Sequence, residues 1–354
     1  MEKKNFNLLC PLNELDFYVE NPKLIEDPLG SYISYTMKGK KIKNQIERRY
    51  REFDYLRIKI QEKFPGIIIP NLPHKQIIGE KQKKIIDMRI EQLNRFCYKI
   101  SKLPFYNFIN EIEIFLQNSN NEIIKSLDNI SKENYLEISN KYEKCFGEIP
   151  QDFNSENCKN KHFNFIENLK IKNKKINDLM QLINSFKNQY QKSIENYNKT
   201  INAFTNFENG VIKEYADNKK NKLIFSNSQN IDLNQKINEL KKINNPLNEL
   251  LENINENLLD NESIIEAYNN IINLEQYYLK NKNKEQDNNN IIGLEKIIKY
   301  DIWLFDKEIN NFKSKNLKYY YYELSQLIKS FKNNNILIDN IINSLLTNTN
   351  LTSL

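Results

Sequence analysis

Glycine and proline are distributed very unevenly along this chain of 354 residues. Seven of the nine prolines precede residue 110, whereas only Pro246, Gly210 and Gly293 follow Pro150. Because proline and glycine interrupt helices, a stretch of about 200 residues with so few of them predicts long helices. The chain therefore divides into an N-terminal third rich in turn signals and a helical remainder.

Apolar residues recur every three or four positions in three long segments of the helical part, residues 160–222, 233–272 and 294–331. Pro246 interrupts the second segment and predicts a kink there, and the polar run Lys280–Asn290 predicts a loop. Helices of about 50 to 60 residues reach on the order of 75–90 Å at 1.5 Å per residue. Single helices of that length are too thin to bury their apolar stripes, so we expect a partner chain.

Short alternating segments predict three antiparallel strands in the N-terminal third, at residues 15–20, 32–37 and 42–49. Asn21-Pro22 and Asp27–Gly30 are turn signals between the first two strands. The residues after the third strand recur with helical spacing: Phe53, Leu56, Ile60 and Phe64. This order is typical of a small meander followed by helices, an α+β module.

The excess of positive over negative charge lies entirely in the same third. Residues 1–117 hold 21 Lys and Arg against 15 Asp and Glu, and the remainder holds 31 of each. The excess indicates that the N-terminal third is the part with an anionic partner.

The basic string Arg48–Arg51 lies where the third strand gives way to the helix. A guanidinium can donate paired, charge-assisted hydrogen bonds to a phosphate, and a tyrosine offers a flat face to a ring. Such a string is also typical of an exposed basic strand end. Two later segments favour the phosphate interpretation: the extended loop Ile69–Lys75, with two prolines, and a helix with Arg89 near its start.

In order and spacing these segments resemble the signature of the phox-homology (PX) domain, a module that binds phosphoinositides. The signature combines a basic-Arg-aromatic string, a Ψ-P-x-x-P-x-K loop and an R-x-x-x-L-x-x-F helix, here Arg89, Leu93 and Phe96. The stretch Val19–Lys23 is also similar to the sorting-nexin branch of the family. The resemblance implies a PX domain over residues 1–118.

The resemblance implies a role for each matched residue. Arg49 is expected to hold the 3-phosphate, Tyr50 to stack under the inositol ring and Arg51 to flank the 3-phosphate. Lys75 is expected to meet the 1-phosphate, and Arg89 to hydrogen-bond the free 4- and 5-hydroxyls. The implied ligand is phosphatidylinositol 3-phosphate.

Two features near this site lie outside the matched positions. The resemblance implies that Arg48 faces away from the ligand or has a structural role. Ile77 and Ile78 stand among lysines, and they either wedge shallowly into an anionic leaflet or pack on the domain core. Only 13 residues separate Lys75 from Arg89, fewer than in many PX domains, which leaves the depth of insertion open.

Residues 119–157 contain apolar residues at helical spacing and end at Gly147–Pro150. They predict either a membrane-inserting helix or a yoke that joins the PX domain to the long helices. Acidic residues on the polar face favour the yoke, because a membrane-surface helix is usually basic.

Three long helices after a PX domain resemble a BAR domain, which dimerises into a curved six-helix bundle. Within the third segment, Glu308, Phe312, Leu317 and Tyr320 are similar to a pattern of sorting-nexin BAR domains. The resemblance implies an all-α BAR-like dimerisation domain over residues 158–346 and a frayed tail over 347–354. A spectrin-like tether is the alternative for the helices alone.

The sequence contains no glycine-rich phosphate loop, nucleophile elbow or metal motif, so we predict neither an enzyme nor a cofactor. The four cysteines form no metal spacing and are expected to be reduced thiols. No apolar run reaches the roughly 18 residues of a membrane span. Acidic residues among the basic ones, and the order of the PX motifs, argue against a nucleic-acid partner.

Together these features predict a PX-BAR sorting nexin that is cytoplasmic and peripheral on early endosomes. It is expected to bind phosphatidylinositol 3-phosphate, to form a homo- or heterodimer through its helices, and to sense or induce membrane curvature in endosome-to-Golgi transport. A retromer-type cargo complex is a candidate partner. The alternative is a PX-domain coiled-coil tether or adaptor at endosomes or the vacuole that does not bend membranes.

Overall fold

The computed structural model describes residues 15–28, 30–73, 83–118, 122–212, 246–282 and 289–312, with single positions between 322 and 332. Lys75, Ile77 and Ile78, named above as site residues, lie outside these ranges. None of the helices within the described ranges combines the length and hydropathy that crossing a bilayer requires.

Three antiparallel strands form one sheet in chain order: β1 (Tyr18–Ile25), β2 (Tyr32–Lys38) and β3 (Ile46–Arg49). The predicted meander is confirmed. Ser34 of β2 pairs with Arg49, the last residue of β3, so the basic string ends the sheet beside the middle of β2.

The turn predicted at Asn21-Pro22 is wrong. The pairing register shifts between Glu20 and Lys23, and β1 continues through this irregularity to Ile25. Asn21 has a φ of 47°, in the left-handed region that asparagine tolerates. β1 is an edge strand, where proline is allowed, so the Asn-Pro pair produces a bulge within the strand instead of ending it.

Helices pack beside the sheet: α1 (Tyr50–Lys63), α2 (Lys83–Ser101), a 3₁₀ turn (Tyr106–Phe108) and α3 (Asn110–Gln117). The apolar stripe predicted for α1 is confirmed, since its four residues are fully buried. Phe53 of α1 contacts Phe96 of α2 and Phe115 of α3, with ring centroids 6.4 and 5.1 Å away. These contacts form the core of the N-terminal domain.

Two shorter helices follow, α4 (Ile123–Asp128) and α5 (Tyr135–Phe146). Asn134 caps α5: its side-chain oxygen accepts the Glu137 backbone N–H at 2.9 Å, and Glu137 accepts the Asn134 N–H at 3.0 Å. This reciprocal pair satisfies two amides at the helix start and fixes where α5 begins.

The long helices are α6 (Ser155–Phe207), which continues as a π-helical turn (Glu208–Ile212), α7 (Pro246–Asn281) and α8 (residues 289–312). Within the described ranges the predicted helical character of all three segments is confirmed. The described part of α7 starts with Pro246, and the predicted kink there involves residues before it that lie outside the described ranges.

The chain forms two compact units, Met1–Lys170 with Leu258–Asn311, and Ile171–Asn257 with Phe312–Leu354. In the first unit a single core extends from the N-terminal domain into α5 and α8. The Tyr142 ring of α5 contacts Phe64 and Tyr300, with centroids 5.2 and 5.7 Å away. The apolar faces of α4 and α5 are therefore buried against neighbouring helices.

Candidate functional site

Arg49 lies at the junction of β3 and α1, as the residue that precedes the first helical turn. Its backbone N–H donates to Glu52 Oε2 at 3.0 Å, and its side-chain Nε lies 3.7 Å from Glu52 Oε1. One third of the side chain, 33%, is exposed. Glu52 thus orients Arg49 while leaving part of the guanidinium open to solvent.

An aromatic ring also supports Arg49. Its guanidinium carbon lies 5.0 Å from the centroid of the Tyr32 ring, a cation–π distance. Arg51, two residues later in the first turn of α1, is exposed. Since the first N–H groups of a helix lack intrahelical partners, this end of α1 presents both backbone donors and guanidinium groups.

Tyr50, the first residue of α1, links two other parts of the site. Its hydroxyl donates to the carbonyl of Pro73 in the proline loop. The Arg89 guanidinium carbon lies 5.2 Å from the centroid of its ring. Burial, aided by the Asp54 charge, raises the pKa of Tyr50 to about 12 against the opposing charges of Arg89 and Arg57, so the hydroxyl keeps its proton and remains a donor.

Arg89 is buried on α2, with 8% of its surface exposed. It also faces Tyr35 of β2: burial raises the pKa of that tyrosine, while the Arg89 charge opposes the rise. Arg89 therefore joins α2, the sheet and the start of α1, and it brings its charge close to the Tyr50 ring.

The carboxyl group of Glu52 is surrounded by the basic string. Burial raises the pKa of Glu52, and this outweighs the lowering effects of the Arg49 N–H and of the charges of Arg48, Arg49 and Arg51. One buried carboxyl against three guanidinium groups leaves the junction of β3 and α1 with excess positive charge.

Arg48 lies on the opposite side of the strand, in the interior. Only 2% of it is exposed, and its side chain donates to the carbonyls of Phe115, at 2.8 Å, and Asn118. Burial lowers the pKa of Arg48 to about 10 despite the nearby Glu52 charge. Arg48 thus ties β3 to the end of α3, and alternation along the strand separates it from Arg49.

The structure accordingly brings Arg49, Tyr50, Arg51 and Arg89 to one region, at and beside the start of α1. The roles expected of Lys75, Ile77 and Ile78 rest on the sequence, because these residues lie outside the described ranges.

The sequence interpretation missed Arg57, a buried residue of α1 whose Nε donates to the Pro70 carbonyl at 2.9 Å. No local pattern distinguishes it from a surface arginine. Its partners become evident only when α1, the proline loop and α7 are placed together.

The sequence also gave no sign of a cluster that combines Cys158 and His162 of α6 with Asp306 of α8. Their potential metal-ligand atoms lie within 4.8 Å of one another. The same Asp306 oxygen, however, accepts the Lys161 ammonium at 2.6 Å and lies 3.2 Å from His162 Nε2. The carboxylate is therefore already engaged by side chains of α6, and the cluster is a structural link between two helices.

Comparison with known proteins identifies the N-terminal fold. Residues 36–119 match the family model described as PX domain. Human sorting nexin-30 is 28% identical over 114 residues, which are 29% of this chain and 26% of that protein. Mouse sorting nexin-18 is 41% identical over 61 residues, which are 17% of this chain and 10% of that protein.

Among solved structures, the SNX-BAR Mvp1 tetramer, determined by cryo-EM, aligns with 95% of this chain and 96% of that chain, at 15% identity and a TM-score of 0.45. The curated relatives match over a small part of their length, 26% for sorting nexin-30 and 10% for sorting nexin-18. The match that carries the assignment is thus the one to the domain at residues 36–119. The chain contains a PX domain, and in that domain it is similar to the sorting nexins.

Proposed function

We propose that this chain is a PX-BAR sorting nexin: a non-enzymatic, peripheral membrane protein that binds phosphatidylinositol 3-phosphate and dimerises through its helices. The observation that carries the lipid-binding part is the convergence of Arg49, Tyr50 and Arg89 at the start of α1. Within this proposal the protein acts in endosomal sorting towards the Golgi, with a retromer-type cargo complex as candidate partner.

The 3-phosphate is assigned to Arg49, with Arg51 beside it. A phosphate at this position meets the exposed part of the Arg49 guanidinium, which Glu52 holds, and lies at the start of α1, where the helix dipole favours an anion. Charge-assisted hydrogen bonds from a guanidinium to a phosphate are strong.

The inositol ring is assigned to the Tyr50 face, and its 4- and 5-hydroxyls to Arg89. Tyr50 is fixed by its hydrogen bond to Pro73 and by the Arg89 guanidinium near its ring, so it forms a rigid platform. A guanidinium carries only donors, which suits hydroxyl oxygens. The assignment of Lys75 to the 1-phosphate follows from the PX motif.

Dimerisation through the helical part is supported by the exposed apolar residues of α6. Six large apolar residues between positions 171 and 207 of this helix are each 46% exposed or more: Ile171, Leu179, Leu182, Phe186, Phe204 and Phe207. At about 100° per residue they fall within an arc of about 80° on one side of the helix. An apolar stripe of this length in water is typical of a surface that a second chain covers.

Vesicle co-sedimentation tests the lipid site. We expect the wild-type protein to pellet with vesicles that contain phosphatidylinositol 3-phosphate and to stay in solution with vesicles that lack it. Arg49→Ala is expected to abolish pelleting, because it removes the central phosphate donor. Lys125→Ala, which removes an exposed cation on α4, is the charge-matched control and is expected to pellet normally. Equal pelleting of Arg49→Ala and wild type contradicts the proposed site.

The electrical neutrality of residues 118–354 favours a second candidate, a PX-domain tether that dimerises without bending membranes. Solution scattering separates the two candidates: a BAR-type dimer gives a curved particle and a coiled-coil tether a straight rod.

A further inference from the structure

The proline segment of the site, residues 69–73, receives hydrogen bonds from α1 at both of its ends. Near the first end, Arg57 Nε donates to the Pro70 carbonyl at 2.9 Å. At the second end, the Tyr50 hydroxyl donates to the Pro73 carbonyl. A segment with two prolines lacks two backbone donors and forms no regular structure, so donors from elsewhere determine its position.

The middle of the segment is attached to α7. The Asn71 backbone N–H donates to Ser263 Oγ at 2.9 Å, and the Asn71 side-chain amide donates to the Leu259 carbonyl at 3.4 Å. Ser263 is 2% exposed, so the contact is shielded from water. One residue of the segment is thus bound by two consecutive turns of α7.

Glu266, in the turn of α7 that starts at Ser263, engages Arg57. Its Oε1 lies 3.3 Å from Nη1 of Arg57, and its Oε2 accepts a hydrogen bond from Nη2, a paired arrangement. Burial acts to raise the pKa of Glu266, but hydrogen bonds from Arg57 and Gln61 and the Arg57 charge outweigh it and lower the pKa. The carboxylate is therefore ionised at neutral pH.

The geometry of the guanidinium connects these contacts. Its nitrogen atoms form a rigid planar fork, so a carboxylate that fixes Nη1 and Nη2 also fixes the direction in which Nε points. In this structure Nε points at Pro70. Glu266 therefore determines where Arg57 holds the proline segment.

We propose that α7 positions the proline segment of the phosphoinositide site through Glu266 and Arg57, so that the lipid affinity of the PX domain depends on this contact with the helical part. The proposal rests on the proposed function. Glu266 and Arg57 are positioning residues: they act through Pro70, and the same segment carries Pro73, which fixes the Tyr50 platform.

Titration calorimetry of the full-length protein with a soluble short-chain phosphatidylinositol 3-phosphate tests the proposal, because a soluble lipid reports the headgroup site without membrane avidity. We expect Glu266→Gln to weaken binding by about fivefold, since the neutral amide no longer holds the Arg57 fork. Arg57→Lys keeps the charge but lacks the fork, and it is expected to weaken binding similarly. The double variant is expected to lose no more lipid affinity than either single variant, because both substitutions break the same contact between Glu266 and Arg57.

Asp260→Asn is the matched control. Asp260 also lies on α7 and pairs with Lys99 of α2 at 2.6 Å, so it joins the same helix to the same domain without contacting residues 69–73. Its substitution is expected to leave the lipid affinity unchanged. All variants are compared by thermal unfolding, and a lower affinity counts only where the melting temperature stays close to wild type.

Three results overturn the inference or its basis. If Glu266→Gln binds the lipid as wild type does, the link does not position the segment. If Glu266→Gln and Asp260→Asn weaken binding equally, lipid affinity depends on the packing of α7 against the PX domain in general and not on the contact between Glu266 and Arg57. If the wild-type protein does not bind the lipid, the proposed function itself fails. As a reciprocal check, lipid binding is expected to slow amide hydrogen exchange around residues 259–266 in the wild type and less so in Glu266→Gln.

Discussion

At the scale of single residues, Asp301 is a carboxyl group in the interior of the first compact unit. It is fully buried on α8 and accepts the Tyr142 hydroxyl at 2.8 Å. Burial raises the pKa of Asp301 to about 8, although the Tyr142 hydroxyl and the Gly66 backbone N–H act to lower it. The group is therefore mostly protonated at neutral pH, the state that a water-free site favours.

This assignment predicts an unusual pH dependence of stability. The pKa of Asp301 is higher in the folded than in the unfolded chain. The contribution of this group to the stability of the folded protein is therefore fully present below the unfolded pKa and is lost as pH rises through about 8. Between about pH 5 and 7 the free energy of unfolding is expected to fall by up to roughly 1.4 kcal/mol per pH unit as pH rises. Asp301→Asn is expected to remove this slope, as measured by urea unfolding across that range.

Asp306 on the same helix is the matched comparison, because its pKa is shifted in the opposite direction. Burial acts to raise the pKa of Asp306, but hydrogen bonds and charges of Lys161 and His162 outweigh it and lower the pKa. Its contribution is present above the unfolded pKa and is lost in acid, so Asp306→Asn is expected to destabilise the protein at neutral pH. If Asp301→Asn shows the same profile as Asp306→Asn, Asp301 is ionised in the folded state and its assignment is wrong.

At the scale of elements, the contact between α8 and α5 depends on a glycine. A Cβ atom at Gly293 of α8 would lie 2.4 Å from the Leu136 backbone nitrogen in the first turn of α5. The atoms that this Cβ would meet are backbone atoms of Tyr135 and Leu136, so a change of side-chain rotamer cannot relieve the clash. The absence of a Cβ therefore sets how closely these two helices approach.

We expect Gly293→Ala to destabilise the protein by about 1–3 kcal/mol, since the overpacked helices must separate. Gly210→Ala is the control, because a Cβ at Gly210 meets no atom within 4 Å, and alanine there is expected to be neutral or slightly stabilising. Urea unfolding of both variants measures the difference. Equal stabilities of the two variants would mean that α5 and α8 have room for a Cβ atom at Gly293.

The sequence predicted some helices and strands correctly and misjudged one strand. The stripe of α1 was visible because helical periodicity is local, and all its predicted residues are buried. The Asn21-Pro22 pair was interpreted as a turn because both residues favour turns in isolation. Pairing between β1 and β2 overrode that preference, and pairing depends on a strand distant in the sequence.

At the scale of the whole molecule, the proposed function requires two chains. Linking two lipid sites raises the effective concentration of the second site once the first has bound, so a dimer binds membranes far more tightly than one PX domain does. The exposed apolar residues of α6 form the surface through which we expect this dimer to assemble.

The double substitution Leu182→Glu with Phe186→Glu places two charges on that face and is expected to produce a monomer by analytical ultracentrifugation. Binding to vesicles is expected to fall about tenfold or more, whereas affinity for a soluble short-chain lipid stays unchanged. Asn184→Glu, exposed on the opposite side of α6, is expected to remain dimeric. A wild-type protein that is itself monomeric, or a double variant that stays dimeric, contradicts this surface.

Features that depend on neighbouring residues could be predicted from the sequence alone: long helices after Pro150, strands before Arg49, and the ordered string, loop and helix motifs of a PX domain. These follow from periodicity and spacing, which are written directly in the chain.

The partners of the buried basic residues became evident only in the folded chain. The tertiary structure placed Arg48 in the interior and Arg57 between the proline segment and Glu266, 209 residues away in sequence. A buried arginine is stable only where carbonyls or carboxylates receive its donors, and those partners are assembled from distant segments by folding. For that reason the PX motif could be recognised from the sequence, whereas the partners that hold Arg48 and Arg57 could not be named from it.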